Sequence, residues 1–170
     1  MNIIETQHLV LREFTTEDAA FLHELVNAPE WLRYIGDRNI RNTDDAERYI
    51  TERLQSSYET IGYGFYLVQL RKEGTPVGLC GLIHRNGLED VDLGFAFLPQ
   101  HTGKGYAYES ALATLAYAQN LIGLHRVVAI TGKDNIKSIQ LLKKLGLHFE
   151  RFIHLPGDEE ELMLHAIEWE

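Results

Sequence analysis

Hydrophobic residues recur along the chain with two different periods, and each period predicts a type of element. Residues 15–29 and 42–58 carry apolar positions at helical spacing, each after a Thr or Asn that can cap a helix and with acids in the first turn. A third helix is predicted over about 105–121. A fourth, in KDNIKSIQLLKKLGL, ends at Gly146 as a C-cap. The pattern therefore predicts four helices.

The segments between these helices have the period of strands. LVLREF (9–14) alternates apolar and polar residues, and three β-rich runs separated by the hairpin loops KEGT and NGLED predict an antiparallel meander over 63–98. HRVVAIT is a predicted buried strand, and HFERFIHL and EEELMLHAIEW are predicted to be the last two. The order indicates a single domain, 1–170, with a mixed α/β sheet and helices on its faces.

Composition limits the classes of partner. A chain of 170 residues with 45% hydrophobic residues is long enough for one core and short for two domains. The formal charge of -9, without a Lys/Arg run, disfavours nucleic acid and favours cationic partners. No stretch reaches the roughly 18 apolar residues of a membrane span, and the single cysteine suits a reducing compartment, so we expect a cytoplasmic protein. The eight histidines form no metal-ligand spacing, so no metal is expected.

A glycine-rich turn, TGKG, stands directly before the third predicted helix. The first N–H groups of a helix lack partners and carry positive character, so such a turn can cradle an anion. Two familiar phosphate motifs do not fit: Gly103-Lys104 is followed by Gly105 instead of the Ser or Thr of Walker A, and Gly105 is not followed by the third glycine of a dinucleotide fingerprint. A ligand-free glycine turn with a helix cap remains an equal alternative.

Three longer stretches carry a resemblance that is more specific than this turn. IETQHLVLREFTTEDAAFLHEL, DLGFAFLPQHTGKGYAYESA and DNIKSIQLLKKLGL are similar to three segments of the GNAT superfamily of N-acetyltransferases, in its RimJ/RimL-like branch of ribosomal-protein N-terminal acetyltransferases. The resemblance covers the whole chain. It implies a predominantly antiparallel seven-stranded sheet that splays between its fourth and fifth strands and is flanked by about four helices.

The resemblance also implies acetyl-CoA as co-substrate and no metal. In the family's pattern, the pyrophosphate lies on the residues that match here at Thr102, Gly103, Lys104, Gly105, Tyr106 and Ala107. Thr102 departs from the usual Gln or Arg; a register from Gln100 keeps the Gln but moves the glycines away from the helix start. The pantetheine arm is expected along Phe95, Ala96 and Phe97, with Asn135 and Ser138 as further contacts.

The chemistry implied by the resemblance is direct attack of a primary amine on the acetyl thioester, with the Phe97 N–H polarising the thioester carbonyl. Leu142 stands where many members have a Tyr acid, and Ile130 where some have a Glu. Ser138 is then the candidate donor to the departing thiolate and Asp92 the candidate base through water. A solvated helix serine and a rim charge are the alternatives for these two residues.

The acceptor is expected to be a primary amine, either a protein or peptide N-terminus, a polyamine or a small metabolite, and to be cationic or part of a basic protein. The acidic turn GDEEE (157–161) is either a solvated hairpin or a cation-attracting edge of the acceptor site. We expect a monomer or homodimer. The alternative function is a non-catalytic acyl-CoA-binding or regulatory module that kept the loop and lost the chemistry.

Overall fold

The computed structural model describes residues 1–170, whose strands form one eight-stranded sheet with helices on both faces. The strands are β1 (Asn2–Glu5), β2 (Leu9–Arg12), β3 (Phe65–Leu70), β4 (Pro76–Ile83), β5 (Asp92–Phe97), β6 (Arg126–Gly132), β7 (His148–Ile153) and β8 (Leu162–Glu168). They lie in the order β1-β2-β3-β4-β5-β6-β8-β7. Every neighbouring pair is antiparallel except β5 and β6.

Six α-helices connect these strands. They are α1 (Ala19–Val26), α2 (Pro29–Tyr34), α3 (Thr43–Tyr49), α4 (Ser56–Thr60), α5 (Tyr106–Tyr117) and α6 (Ile136–Leu145). A π-helical segment, Ile50–Gln55, joins α3 to α4, and another, Ala118–Ile122, extends α5. None of the helices combines the length and the hydropathy that a membrane crossing requires.

The predicted mixed α/β fold is confirmed, with two elements more than the periodicity indicated. The sheet has eight strands instead of seven because β1 pairs with β2 at the sheet edge. Its four residues are exposed or half-buried, so they carry little hydrophobic alternation. The six-residue α2 was also missed because it begins at Pro29, where the first helix was predicted to end. The predicted caps Asn42 and Gly146 stand at the start of α3 and the end of α6.

Alternation along the strands divides the core between the two faces of the sheet. Tyr66 and Val68 of β3 belong to the larger cluster, together with apolar residues of α5 and α6. Leu67, which lies between them, belongs to the second cluster with residues of α1, α2 and α3. The sheet therefore separates an α5–α6 face from an α1–α3 face.

The sheet opens between β5 and β6. The two strands share a single residue pair, Asp92 with Val128, where the Val128 N–H donates to the Val91 carbonyl at 2.9 Å. Beyond this point β5 stays paired with β4, and β6 stays paired with β8. A gap results between β5 and β6. These are the fourth and fifth of the seven strands predicted from the sequence, which did not include β1, so the gap corresponds to the expected splay.

A buried ion pair attaches the first helix to the sheet. Two guanidinium nitrogens of Arg12, on β2, donate to the two carboxylate oxygens of Asp18 at 2.8 Å each. Asp18 also accepts from the Thr15 N–H, and the Arg12 Nε donates to Gln69 on β3. Burial alone raises the pKa of Asp18, but the Arg12 and Thr15 hydrogen bonds outweigh it and hold that pKa below its usual value. The LREFTTED stretch thus fixes the start of α1.

Replacing Arg12 with Ala should leave the Asp18 carboxylate buried without a counter-ion. We expect the free energy of unfolding to fall by about 3 kcal/mol, the lower end for a buried pair because Arg12 is still 22% exposed. Urea denaturation measures the change. As a control, Arg71→Ala removes an exposed pair with Glu5 at 3.8 Å and should cost less than about 1 kcal/mol. Equal losses in the two variants would contradict the assigned role of Arg12.

Candidate active site

The edge of β5 that faces the gap carries unpaired backbone groups. In an antiparallel pair, alternate residues direct their N–H and C=O groups to opposite edges of the strand. The Leu98 N–H donates to Val77 on the β4 side, and the Val91 carbonyl accepts from Val128 on the β6 side. Phe95 and Phe97 share the parity of Val91, so their backbone groups point into the gap. The N–H of Phe97 thus faces the gap, where the resemblance would place it, whereas the backbone groups of Ala96 are turned toward β4.

The glycine loop presents a run of free amides at the start of α5. Gly103 and Gly105 have left-handed φ angles of 76° and 85°, and Gly105 is the N-cap residue directly before Tyr106. The first amide of this helix that finds a backbone acceptor is that of Glu109, which donates to the Gly105 carbonyl. The N–H groups from Gly103 to Tyr108 have no acceptor. The glycines adjoin the helix start, which favours the register from Thr102 over that from Gln100.

Open space adjoins these amides. A Cβ added at Gly103 or Gly105 meets no atom within 4 Å, so neighbouring side chains do not require glycine there. The positive φ angles do require it, and they turn the amides outward together. An anion such as a pyrophosphate fits this arrangement because it can accept from several N–H groups at a helix N-terminus.

One cavity of about 1180 Å³ joins the loop to the gap and passes through the sheet. Its lining includes Leu93 and Leu142 from the α5–α6 core and Trp31 and Leu79 from the α1–α3 core. It is also lined by all but one of the predicted site residues, namely Asp92, Phe95, Ala96, Phe97, Thr102, Gly103, Gly105, Tyr106, Ala107, Asn135 and Ser138. Lys104 lies outside the lining and is exposed.

The start of α6 supplies the polar groups on the α5–α6 side of the cavity. The Asn135 side chain caps the helix by accepting from the Ser138 N–H at 3.4 Å. Ser138 itself is half-buried, and its hydroxyl forms no hydrogen bond within the protein. Leu142 lies one turn further along, buried against the core and facing the same cavity. The serine is therefore neither fully solvated nor engaged elsewhere.

Asp92 is a buried carboxylate at the vertex of the gap, and not the rim charge that was the alternative. Its side chain is 1% exposed, and Oδ2 accepts from the Arg85 Nε at 2.6 Å, while Oδ1 has no partner. Burial raises the pKa of Asp92 to about 6, and Arg85 opposes that rise. Alternation along β5 places Asp92 on the same face as Ala96, which packs against the α1–α3 core. Asp92 and Ser138 thus approach the cavity from opposite faces.

The α1–α3 side of the cavity contains residues that the sequence did not predict. Tyr34 and Glu160 both lie near the end of β6, where an atom of each is about 4 Å from a Cβ built on Gly132. Asp158 and Glu160 of the acidic turn also line the cavity. This position agrees with the interpretation of the turn as a cation-attracting edge. Further lining residues are Trp31, Arg38, Tyr49, Arg53, Arg85 and Thr131. Of these residues, only Arg85 could have been expected, because a buried Asp92 needs a counter-ion.

Comparison with known families agrees with this geometry. The family model described as "Acetyltransferase (GNAT) domain" matches residues 8–148. The chain belongs to the GNAT acetyltransferase family. A curated relative, an uncharacterised N-acetyltransferase of Bacillus subtilis strain 168, is 29% identical over 149 residues, which cover 88% of this chain and 84% of the relative. The predicted enzyme class, an N-acetyltransferase, is confirmed.

Solved structures share the fold of this GNAT acetyltransferase. The ribosomal-protein-S5-alanine acetyltransferase of Vibrio fischeri has a TM-score of 0.80 at 18% identity, with 97% of this chain and 95% of that chain covered. The spermidine N-acetyltransferase of Vibrio cholerae, solved with CoA and spermine, has a TM-score of 0.76 at 21% identity, with 96% of each chain covered. At these identities the likeness establishes the fold, and the RimJ/RimL-like branch stays a prediction.

The environment of Asp92 can be tested without assuming a substrate. We expect the Asp92 carboxyl to titrate near pH 6 in a ¹³C NMR experiment, because its burial disfavours the charged form. Arg85→Ala should raise that pKa further, by roughly 1 to 3 pH units, since the opposing cation is lost. The control Arg48→Ala, which removes an exposed cation paired with Asp45, should leave it unchanged. An Asp92 pKa near 4 in the wild type would contradict the assigned burial.

Proposed function

We propose that this GNAT protein uses acetyl-CoA and transfers its acetyl group to a primary amine. One observation carries the proposal: the free amides from Gly103 to Tyr108 and the gap-facing backbone groups of β5 border a single cavity. CoA combines a pyrophosphate with an amide-bearing arm, and these two sets of groups match its two parts. The CoA complex of the Vibrio cholerae neighbour supports the proposal.

The residues present fit this co-substrate. The amides of the glycine loop would hold the pyrophosphate, and the edge of β5 at Phe95 and Phe97 would pair with the amides of the arm. Asn135 and Ser138 border the same space from α6. Acetyl-CoA, when bound, supplies an acetyl thioester. The Phe97 N–H would then donate to the thioester carbonyl oxygen.

Two side chains on opposite faces of the sheet would act as a base and as a hydrogen-bond donor. The ionised Asp92 would accept the proton of the amine through a water, since its pKa of about 6 leaves it mostly charged at neutral pH. Ser138 would donate a hydrogen bond to the sulfur on the α5–α6 side. Asp158 and Glu160, together with the net charge of -9, favour an amine that approaches as a cation.

We assign the protein to the RimJ/RimL-like branch on the residues of its opening segment. The LREFTTED stretch forms the Arg12–Asp18 pair that fixes the start of α1. The named neighbours act on different acceptors, a ribosomal protein and spermidine, and each is too distant to choose the acceptor here. A primary amine is what the two have in common.

Acetyl-CoA should raise the melting temperature by roughly 5–10 °C at about 100 times its Kd, because it binds only the folded state. Gly105→Val should abolish this shift, since φ at this position is 85° and the new side chain occupies the space beside the free amides. Differential scanning fluorimetry measures both proteins.

Gly123→Val is the matched control. Gly123 has a φ of 84° and equally open surroundings, but it lies at the other end of the α5 segment. This variant should lose stability and still be stabilised by acetyl-CoA. If Gly105→Val keeps the full shift, the loop is not the pyrophosphate site.

Ser138→Ala should lower kcat roughly 10- to 1,000-fold while changing acetyl-CoA affinity little, because a hydrogen bond to sulfur strengthens as negative charge develops there. Free-thiol release with a panel of primary amines measures kcat, and the thermal shift measures acetyl-CoA binding. An uninvolved helix serine predicts almost no effect, since Ala favours helices.

The two catalytic assignments can fail together. If Ser138→Ala turns over at the wild-type rate and Asp92→Asn is also active, neither side chain has its proposed role. Catalysis would then rest on positioning by the separated strands and on proton transfer to solvent. Binding of acetyl-CoA without thiol release for any amine would instead favour a non-catalytic acyl-CoA-binding module.

A further inference from the structure

The α1–α3 side of the cavity holds three side chains whose N–H groups have no acceptor in the protein. They are Trp31, Arg38 and Arg53. The Trp31 side chain is 7% exposed, and its Nε1–H is buried with no partner. Arg38 and Arg53 line the same cavity and form no ion pair or hydrogen bond. The neighbouring arginines Arg41 and Arg48, in contrast, are each paired with an aspartate. A buried indole N–H without an acceptor is costly, and Trp31 is a lining residue of the cavity, so a ligand atom that reached Nε1 in the bound state would satisfy it.

The two free arginines border one space. Both also line a smaller adjoining cavity of about 170 Å³, together with Asn39 and Tyr49, and these four residues are common to the two cavities. Guanidinium groups that share a space can bind one carboxylate through several charge-assisted hydrogen bonds. Two unpaired carboxylates accompany the arginines, Glu30 at the large cavity and Glu52 at the smaller one, and both acids are exposed to solvent.

Two further acids without cations lie on another part of the lining. Asp158 and Glu160 come from the loop between β7 and β8, and neither has a cation within ion-pair distance. Asp37 and Asp134, which also line the cavity, are paired with Arg41 and Arg33. The acceptor side therefore offers free cations at Arg38 and Arg53, and free anions at Asp158 and Glu160 on the loop between β7 and β8.

We propose that the acceptor carries a carboxylate in addition to its amine, as an amino acid does. This inference rests on the proposed function and deepens it. Arg38 and Arg53 would bind the carboxylate and Trp31 Nε1 would donate to an acceptor oxygen, while Asp158 and Glu160 attract the ammonium. A fully protonated polyamine has donors only, so it cannot accept from Trp31 Nε1, and its charge repels the two exposed arginines. A zwitterion offers a carboxylate to the two arginines and an ammonium to the two acids.

Matched acceptor pairs test the proposal because their members differ by one carboxylate. The pairs are glycine with methylamine, ornithine with putrescine, and lysine with cadaverine. At saturating acetyl-CoA, free-thiol release should give a kcat/KM at least about 10-fold higher for the carboxylate member of a productive pair, the gain expected from charge-assisted hydrogen bonds.

Variants assign that preference to the named residues. The double variant Arg38→Gln, Arg53→Gln should lower kcat/KM for the carboxylate member roughly 10- to 100-fold, mainly through KM, and leave the carboxylate-free amine within about threefold. Trp31→Phe keeps an aromatic ring and removes the N–H donor. It should also lower kcat/KM for the carboxylate member relative to that for the carboxylate-free amine. Arg71→Gln removes one positive charge at an exposed site outside the cavity. It should change kcat/KM for neither member of the pair.

The outcomes separate the two proposals. The inference is overturned if the carboxylate-free amine is used equally well or better in every pair. It is also overturned if the arginine variants affect both members equally, or if acetyl-CoA stabilises the protein and no amine of the panel is acetylated. Absence of any stabilisation by acetyl-CoA would instead overturn the proposed function itself.

Discussion

The separation of β5 from β6 is the constraint on which the rest of the site depends. The strands meet only at Asp92 and Val128, so the gap-facing backbone groups of β5 beyond that point have no strand to pair with. Unpaired backbone groups in a sheet are costly unless water or a ligand satisfies them. The gap leaves these groups free, and it suits a ligand that has amide groups of its own.

The same gap divides the chemistry between the two faces of the sheet. The glycine loop and the start of α6 lie on the α5–α6 face, where an anionic co-substrate finds free amides. Asp92 belongs to the opposite face because side chains alternate along β5. Its burial at the vertex raises its pKa, yet Arg85 keeps the carboxylate within the range in which it is ionised at neutral pH. Asp92 and Ser138, the proposed base and the proposed leaving-group donor, therefore reach the cavity from opposite faces and do not compete for the same space.

Periodicity was enough to predict most of the helices and the meander, because these depend on local sequence, whereas the residues proposed to bind CoA were expected from the resemblance to the GNAT superfamily. Gly105 needs only its neighbours to become a helix cap. The acceptor side could not be predicted in this way. Trp31 comes from a six-residue helix with too few turns to show a period, and Arg38 and Arg53 reach the cavity from separate segments. The burial of Asp92 likewise depends on Val128, a partner distant in sequence.

An amide-resolved ¹H–¹⁵N NMR titration with CoA tests the central claim most directly, because it reports on backbone N–H groups one by one. We expect the largest shifts on the amides from Gly103 to Tyr108 and on those of Phe95 and Phe97 at the gap-facing edge of β5. The amide of Ala96, which points toward β4, should shift less. Saturable shifts confined to other parts of the chain, with these amides unmoved, would contradict the assignment of the gap and the loop as the CoA site.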